Sequence, residues 1–254
     1  MPGAVFEVSQ RIVKGISKRQ EKPFRPRDEQ GGVTRYRGEV DFTRIPFDTG
    51  KTWKILVRNN YLKKDIKDFL TGENLPFSDT GCSAYSEKLV QAIATWDRLK
   101  RGEHVPIEHA AVMYEYQASI KDIERGGKKK LAEAESRGVG AVSWKTLQEN
   151  YGLIWTNETP WHGAFGRVDL QTRDYTRHGI EEYGIDAVVK PPIDVSTIHA
   201  AKGQEADHVV VVCDMAARCW RELERNRDSE LRVWYVGVTR AREHLHVVGD
   251  NGVV

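Results

Sequence analysis

Apolar side chains recur at helical spacing over residues 4–19. The apolar positions are Val5, Val8, Ile12 and Ile16. This spacing predicts an amphipathic helix with a basic outer face, which Pro23 and Pro26 end. The residues from Val33 to Ile45 predict short strands.

Residues 53–57, Trp-Lys-Ile-Leu-Val, predict a buried strand. A helix is expected to follow, with apolar positions on one face at Leu62, Ile66, Phe69 and Leu70. Asn59 or Asn60 is the expected N-cap of this helix, because an asparagine side chain can accept from the free N–H groups of a first turn. The strand and the helix together predict one α/β unit.

Between about Cys82 and Lys190 the pattern changes to helices separated by turns at Gly126-Gly127 and residues 137–140. The predicted helices are marked by Leu89, Ile93, Trp96 and Leu99, by Ala110, Met113 and Tyr114, and by residues 161–178, which hold a third or fourth helix. The tryptophans of this stretch are Trp144, Trp155 and Trp161. They could stack on nucleic-acid bases, but a place in the core is the preferred interpretation.

Strand and helix alternate again from Ile193 onward. Strands are predicted at Ile193–Thr197, at the valine run Val209–Val212 and at His244–Val248, with a helix over residues 228–242. Buried strands separated by helices on both sides of a helical stretch predict one parallel-sheet domain interrupted by a helical one.

The predicted fold class is therefore α/β, with a parallel sheet flanked by helices and interrupted by an inserted, mainly helical subdomain. The expected bounds of the sheet domain are residues 1–81 and 190–254, and those of the insertion are residues 82–189.

Composition describes an ordinary globular protein, with 254 residues of which 39% are hydrophobic and 30% are charged. No apolar run approaches the roughly 20 residues that cross a membrane, and the N-terminus lacks a signal-peptide pattern, so a cytoplasmic location is expected. Cys82, Cys213 and Cys219 are odd in number and lack paired ligand spacing, which predicts reduced thiols and no metal site.

The net charge of +2 is too small to indicate nucleic-acid binding by itself. Two local clusters are more basic: Lys18, Arg19, Lys22, Arg25 and Arg27 form one, and Lys128, Lys129 and Lys130 form the other. Such runs are usually solvated faces, and direct contact with DNA is the alternative interpretation for either cluster.

Two segments near the C-terminus carry the strongest chemical signal. Residues 196–207 read Ser-Thr-Ile-His-Ala-Ala-Lys-Gly-Gln-Glu-Ala-Asp, and residues 235–242 read Tyr-Val-Gly-Val-Thr-Arg-Ala-Arg. In order and spacing they resemble motifs V and VI of the UvrD/Rep branch of superfamily 1 DNA helicases. Residues 55–60 resemble the segment that opens the second RecA-like domain of that family. The chain departs from the family at Gln204, which replaces a leucine, and in lacking the Tyr-Arg pair of motif IV.

The resemblance implies a nucleotide-binding set of residues. Arg240 matches an arginine finger, which stabilises charge on the γ-phosphate when two domains close, and Arg242 is the less favoured alternative, expected to pair with a sheet carboxylate. Glu205 matches the acid that accepts a hydrogen bond from the ATP ribose. Gly203 and Lys202 belong to the same set, and Lys202 is expected to link it by charge to the DNA site.

The resemblance also implies a DNA-binding set. Thr197 and His199 match residues that contact the DNA backbone, where a hydroxyl and an imidazole can donate to phosphate without reading sequence. Arg58 and Asn59 match residues that lie near single-stranded DNA. The alternative for every residue in both sets is a loop side chain that caps a helix or pairs locally.

Two further matches to nucleotide-binding motifs are rejected. Gly50-Lys51-Thr52 resembles the end of a phosphate-binding loop, but Ile45 stands where a glycine is needed, and the lysine enters a strand instead of a helix. Asp214 follows a strand as a magnesium ligand would, but it lies after motif V and lacks a second acid. A structural role is expected for both.

The resemblance thus implies the C-terminal half of an ATP-dependent DNA helicase or translocase. ATP and Mg²⁺ would be bound mainly by a separate N-terminal P-loop domain, supplied in cis or in trans, and the chain would contact single-stranded DNA. Alone it is expected to be inactive as an ATPase. The alternative is a non-catalytic DNA-binding or partner-docking module derived from a helicase.

Overall fold

The computed structural model describes residues 1–20, 23–38, 41–48, 50–118, 120–250 and 252–254. Its helices and strands, in chain order, are α1 (Gly3–Lys14), β1 (Gly32–Tyr36), β2 (Trp53–Val57), α2 (Lys63–Gly72), β3 (Phe77–Asp79), β4 (Cys82–Ser83), α3 (Glu87–Lys100), β5 (Val105–Pro106), α4 (Ile107–Glu115), α5 (Gly127–Ser136), β6 (Ala141–Val142), α6 (Trp144–Tyr151), α7 (Trp161–Ala164), α8 (Leu170–Tyr183), α9 (Ile185–Val189), β7 (Ile193–Thr197), β8 (Ala206–Val212), α10 (Ala217–Arg225), α11 (Arg227–Val238) and β9 (Ala241–Val248). Short 3-10 helices lie at Phe42–Arg44 and Asn60–Leu62.

The chain divides into two compact units. The first, called the sheet unit here, comprises Met1–Ala84 and Lys190–Val254. The second, called the helical unit, comprises Tyr85–Val189.

The strands of the sheet unit lie in the order β1-β9-β8-β2-β7-β3-β4, and all neighbouring pairs are parallel except β3 with β4. The carboxyl ends of the parallel strands therefore meet at one edge, the carboxyl edge, and their amino ends meet at the opposite edge, the amino edge. Helices flank this sheet, and the predicted α/β fold class with a RecA-like parallel sheet is confirmed.

The connections of two neighbouring strands diverge at the centre of the sheet. Strand β2 is followed through α2 by β3 on one side, whereas β8 is followed through α10 and α11 by β9 on the other side. In open α/β sheets, a crevice forms at the carboxyl ends where connections diverge, and ligands bind there. Arg58 and Asn59 follow β2, so the topology places both at this point.

One face of the sheet packs against α1, α10 and α11. Its core includes Val5, Val8, Ile12, Leu56, Val209, Val211, Trp234, Leu245 and Val247. Every residue of β2 is buried, as expected for a central strand covered on both faces. Helix α1 ends at Lys14, earlier than predicted, although Ile16 beyond it is still buried.

The sequence prediction is wrong at two places in the first part of the sheet unit. The expected strands between Val33 and Ile45 reduce to β1, and a 3-10 helix follows, in which the Asp41 side chain accepts from Thr43 N. Neither Asn59 nor Asn60 is the N-cap of α2, which is Leu62, and Asn59 makes no side-chain cap bond to the 3-10 helix before α2. Its Oδ1 instead accepts from Ala216 N at 2.9 Å, a tertiary contact that local sequence does not reveal.

Two helix predictions in the later part of the chain also need correction. The helix expected over residues 228–242 ends at Val238, because Ala241 already pairs with Ala206 in the sheet. The helix expected over residues 161–178 is two helices, α7 and α8, and Asp169 caps the second by accepting from Thr172 N. Helix α10 was missed.

The helical unit has its own core, centred on Trp96 of α3. Its ring lies edge-on to Trp144 and Phe165, with ring centroids 4.8 and 5.5 Å apart. Trp144 and Trp161 are buried, and Trp155 packs partly buried against the same cluster, so these rings belong to the core. Strands β5 and β6 form a separate two-stranded pair.

Among the described residues, no helix has the length and apolar character needed to cross a membrane.

Candidate functional site

The candidate residues lie at opposite edges of the sheet. Thr197 ends β7 and Arg58 follows β2, which places both at the carboxyl edge. Glu205 precedes β8 and Arg240 precedes β9, which places both at the amino edge. The five residues of β2 separate the edges by about 17 Å at the usual rise of a strand.

The turn after β7 joins the two edges. Ile198 and Ala201 bury their side chains in the core, and Ala201 N donates to Thr197 O at 3.1 Å. The Thr197 hydroxyl oxygen accepts from Ala200 N at 3.2 Å, which leaves its proton available to a ligand. Gly203 has a φ of 83°, a left-handed conformation that favours glycine.

The polar side chains on this turn face solvent. His199, Lys202 and Glu205 are all exposed. Thr197 is half-buried. The turn therefore fixes its backbone through apolar and glycine positions and leaves its polar groups open to a partner.

At the carboxyl edge, Arg58 and Asn59 are engaged by the sheet unit itself. The Arg58 guanidinium forms two bonds with Glu230 of α11, at 3.0 and 2.7 Å, and these bonds raise the pKa of Arg58. Glu230 is buried. Asn59 bonds Ala216 N and donates to Cys219 Sγ at 3.4 Å. These side chains tie the loop after β2 to α10 and α11.

Two exposed aromatic residues at the carboxyl edge were missed by sequence reasoning. Tyr61 is 56% exposed and Trp220 of α10 is 40% exposed, which is unusual for such large rings. Partial burial and the nearby Asp214 carboxylate raise the pKa of Tyr61. The placement of Trp220 between Arg218 and Arg221 was the available signal, but it is informative only once α10 is known to be a helix.

At the amino edge, the two arginines of the second motif differ in their surroundings. Arg240 is half-buried, and its Nε donates to Val236 O at 2.9 Å while its Nη2 donates to Thr239 Oγ1 at 2.9 Å. Arg242 is exposed and contacts Glu205 Oε2 through Nε at 3.3 Å, with Asp207 Oδ1 at 3.9 Å from its Nη1. Arg242 thus pairs with carboxylates at the start of β8.

The two rejected matches have structural partners. Lys51 pairs with Glu243 at 2.9 Å, and Thr52 donates to Asp207 through both its amide and its hydroxyl. The Thr52 bonds lower the pKa of Asp207. Asp214 accepts from Met215 N at 2.7 Å, as a carboxylate at a strand end does.

Three histidines near the amino edge lie on the sheet face that points away from α1, α10 and α11. His208 Nδ1 lies 3.2 Å from His246 Nε2, and Tyr36 Oη lies 3.1 Å from His246 Nδ1. Burial lowers the pKa of His208, His244 and His246, that of His246 to about 3. Their rings are stacked or tilted against one another with centroids 4.4–5.7 Å apart.

Among the described residues, no group of three or more histidine, cysteine, aspartate or glutamate side chains could hold a metal ion. The cysteines there are free thiols.

A cleft of about 630 Å³ lies beside α2 at the end of β8. Arg37 and Arg44 line it together with Asp41, Asp65 and Asp214. Three carboxylates against two guanidiniums make a poor site for phosphate, so the cleft is not assigned to nucleotide or DNA.

Some side chains of the two basic clusters have partners within the protein. In the first cluster, the Arg19 guanidinium donates to Ile16 O, and the Lys18 backbone amide donates to Asp228 Oδ2, while Lys22 lies outside the described residues. In the second cluster, Lys128 donates to Gln117 O and burial lowers its pKa.

A model of a known protein family matches part of the chain. Residues 192–248 match the model of the UvrD-like helicase C-terminal domain. The matched stretch extends from β7 to the end of β9 and contains both motifs. The match supports a UvrD/Rep-like helicase C-terminal region over these residues, in agreement with the sequence resemblance. No curated protein matches the chain.

Proposed function

We propose that this chain, whose residues 192–248 match the model of the UvrD-like helicase C-terminal domain, acts as the C-terminal motor half of an ATP-dependent DNA helicase or translocase. The observation that carries the proposal is the meeting of the two motifs at the amino edge. Ala206 N donates to Arg240 O at 3.2 Å, and this backbone hydrogen bond holds Glu205, the residue before Ala206, next to Arg240 in the fold.

This arrangement suits the nucleotide of an ATPase that works between two domains. In phosphoryl transfer most of the catalytic effect is positioning and neutralisation of charge, and an arginine from a neighbouring domain makes both depend on closure. Arg240 is assigned to the γ-phosphate and Glu205 to the ribose hydroxyls. Gly203 and Lys202, in the same exposed turn, are assigned to the rim of the nucleotide site.

The carboxyl edge is assigned to single-stranded DNA. The Thr197 hydroxyl and the His199 imidazole supply donors for phosphate, and the exposed rings of Tyr61 and Trp220 supply surfaces on which bases stack without sequence preference. Arg58 and Asn59 hold this edge in place through Glu230 and α10. Their proposed role is to shape the surface that binds DNA as well as to contact the DNA.

The remaining parts of the motor are assigned to a second domain. A P-loop RecA-like domain, in cis or in trans, would supply the phosphate cradle and the magnesium ligands. Hydrolysis would then alternate the grip of the two domains on the strand.

The test is ATP turnover by the purified chain, with and without single-stranded DNA, followed by the same assay after a P-loop domain is supplied. We expect no turnover from the chain alone and DNA-stimulated turnover from the combination. Lys51→Ala is the control. It should change the turnover of neither the chain alone nor the combination, because Lys51 pairs with Glu243 instead of cradling phosphate. The proposal is contradicted if the chain alone hydrolyses ATP after rigorous purification and still does so when Arg240 is replaced.

A further inference from the structure

The end of α11 forms a small hydrogen-bonded clamp around the Arg240 side chain. Thr239 Oγ1 donates to Val236 O at 3.0 Å and accepts from Arg240 Nη2 at 2.9 Å. Arg240 Nε donates to the same Val236 O at 2.9 Å. One carbonyl and one hydroxyl therefore fix two nitrogens of the guanidinium.

The clamp leaves part of the guanidinium open. Among the described residues, Arg240 Nη1 has no hydrogen-bond partner, and the side chain is only half-buried. A guanidinium carries five donors in a planar fork. Fixing two of its nitrogens sets the plane of the whole group, so the remaining donors keep a defined direction.

Arg242 shows what an unclamped arginine does at the same edge. Its side chain is 48% exposed, and its shortest contact is the 3.3 Å approach of Nε to Glu205. An exposed pair of this kind holds a long side chain weakly. A free arginine loses rotamer freedom when it binds, whereas the clamp has already restricted Arg240.

We propose that Thr239 is a positioning residue for Arg240: its hydroxyl turns the guanidinium into the orientation that meets the γ-phosphate. The inference rests on the proposed function, since it assumes that Arg240 is the arginine finger. Thr239 acts only through Arg240 and touches no substrate itself.

A purely structural role would give a different result. Threonine and arginine side chains also satisfy the free carbonyls at a helix C-terminus, and in that role they would affect stability alone. A positioning role affects turnover instead, because orientation counts most in the transition state.

The test compares Thr239→Val with Thr239→Ser in the enzyme formed by this chain and a P-loop domain. Valine has the shape of threonine without the hydroxyl, and we expect it to lower kcat roughly tenfold, with KM changed less than about twofold. Serine keeps the hydroxyl and is expected to retain kcat within about threefold. Thr176→Val is the matched control, because Thr176 Oγ1 also donates to a carbonyl of its own helix, that of Thr172, with no arginine attached.

A second readout uses the chain by itself. Relaxation of the Arg240 Nε–H resonance in NMR reports the mobility of the guanidinium, and we expect greater mobility in Thr239→Val and wild-type behaviour in Thr239→Ser. Unchanged mobility in Thr239→Val overturns the clamp.

Arg240→Ala distinguishes a failure of the positioning role from a failure of the proposed function. If Arg240→Ala abolishes turnover while Thr239→Val has normal kcat, the positioning role is wrong and the proposed function stands. If Arg240→Ala has normal turnover, the proposed role of Arg240 is wrong, and the inference falls with it.

Discussion

The carboxyl and amino edges of one sheet use their arginines in different ways. At the carboxyl edge, Arg58 is held by two bonds to the buried Glu230. At the amino edge, Arg242 contacts an exposed carboxylate, and Arg240 keeps Nη1 free of any described partner. The motif match proposes ligand-binding roles for Arg58 and Arg240 and keeps Arg242 as an alternative, whereas burial and bonding distinguish a residue that supports the fold from one that can meet a ligand.

The physical cause lies in the connections at each edge. The loop after β2 meets α10 and α11 where the strand connections diverge, and buried polar groups there must find partners. The amino edge is formed by short turns that lead straight into β8 and β9, so their side chains reach solvent. The following predictions test this contrast.

The largest effect is expected from Arg240→Ala in a motor completed with a P-loop domain. Single-turnover hydrolysis should slow by about a thousandfold, while ATP affinity falls far less, because the arginine acts on transition-state charge. Arg242→Ala should change the rate within about fivefold, as expected for the loss of an exposed pair. The reverse order of the two variants would transfer the finger to Arg242.

A second prediction concerns the stability of the carboxyl edge. Glu230→Gln should lower the free energy of unfolding by about 2–3 kcal/mol, because it leaves the Arg58 charge without its buried partner. Denaturant unfolding measures this change. Glu243→Gln, which breaks the exposed pair with Lys51, is the control and should have little measurable effect. Equal effects of the two changes would show that the edges do not differ.

The third prediction is a pH dependence that originates in the histidines near the amino edge. The folded-state pKa of His246 is lowered to about 3, so below its unfolded-state value the unfolded chain binds more protons than the folded one. The contribution of His246 to the free energy of unfolding is fully present above about pH 6.5. It decreases as the pH falls, by about 2 kcal/mol between about pH 7 and pH 5. Unfolding curves across this range measure it.

The variant His246→Phe should flatten that pH dependence, and His199→Gln, which changes an exposed histidine, should leave it unchanged. A profile that stays as steep in His246→Phe would assign the pH dependence to other groups.

The smallest expected effect is on DNA affinity. Thr197→Val combined with His199→Ala should weaken binding of single-stranded DNA by about threefold to tenfold without unfolding the protein, since each lost donor is worth about 1 kcal/mol or less. Fluorescence anisotropy at low salt measures the affinity. Lys51→Ala at the amino edge is the control, and an equal loss there would indicate general charge attraction instead of a track at the carboxyl edge.

Much of the sheet was predictable because its signals are local. Strands β2 and β7 have the bounds that the sequence predicted, since β2 is a mostly apolar run and β7 alternates apolar and polar positions at its start. The two motifs were likewise visible as strings, and the family match to residues 192–248 agrees with them.

The ends of elements were less predictable. The pattern of α11 continued past Val238, but pairing of Ala241 with Ala206 starts β9 and ends the helix. Asn59 has the sequence signature of a cap, yet its side chain accepts a hydrogen bond from a backbone N–H of another segment. In both cases a partner distant in sequence outcompetes the local preference.

The sequence by itself determined the fold class, the bounds of β2 and β7 and the candidate residues of the two motifs, whereas β3, β4, α10, Tyr61 and Trp220 were missed. Only the tertiary structure decided that Thr197 and Glu205, eight residues apart in one turn, lie at opposite edges of the sheet. It also decided that Arg58 meets Glu230 and that Thr239 clamps Arg240. Local spacing encodes which face a side chain takes, whereas its partner depends on how the strands and helices come together in space.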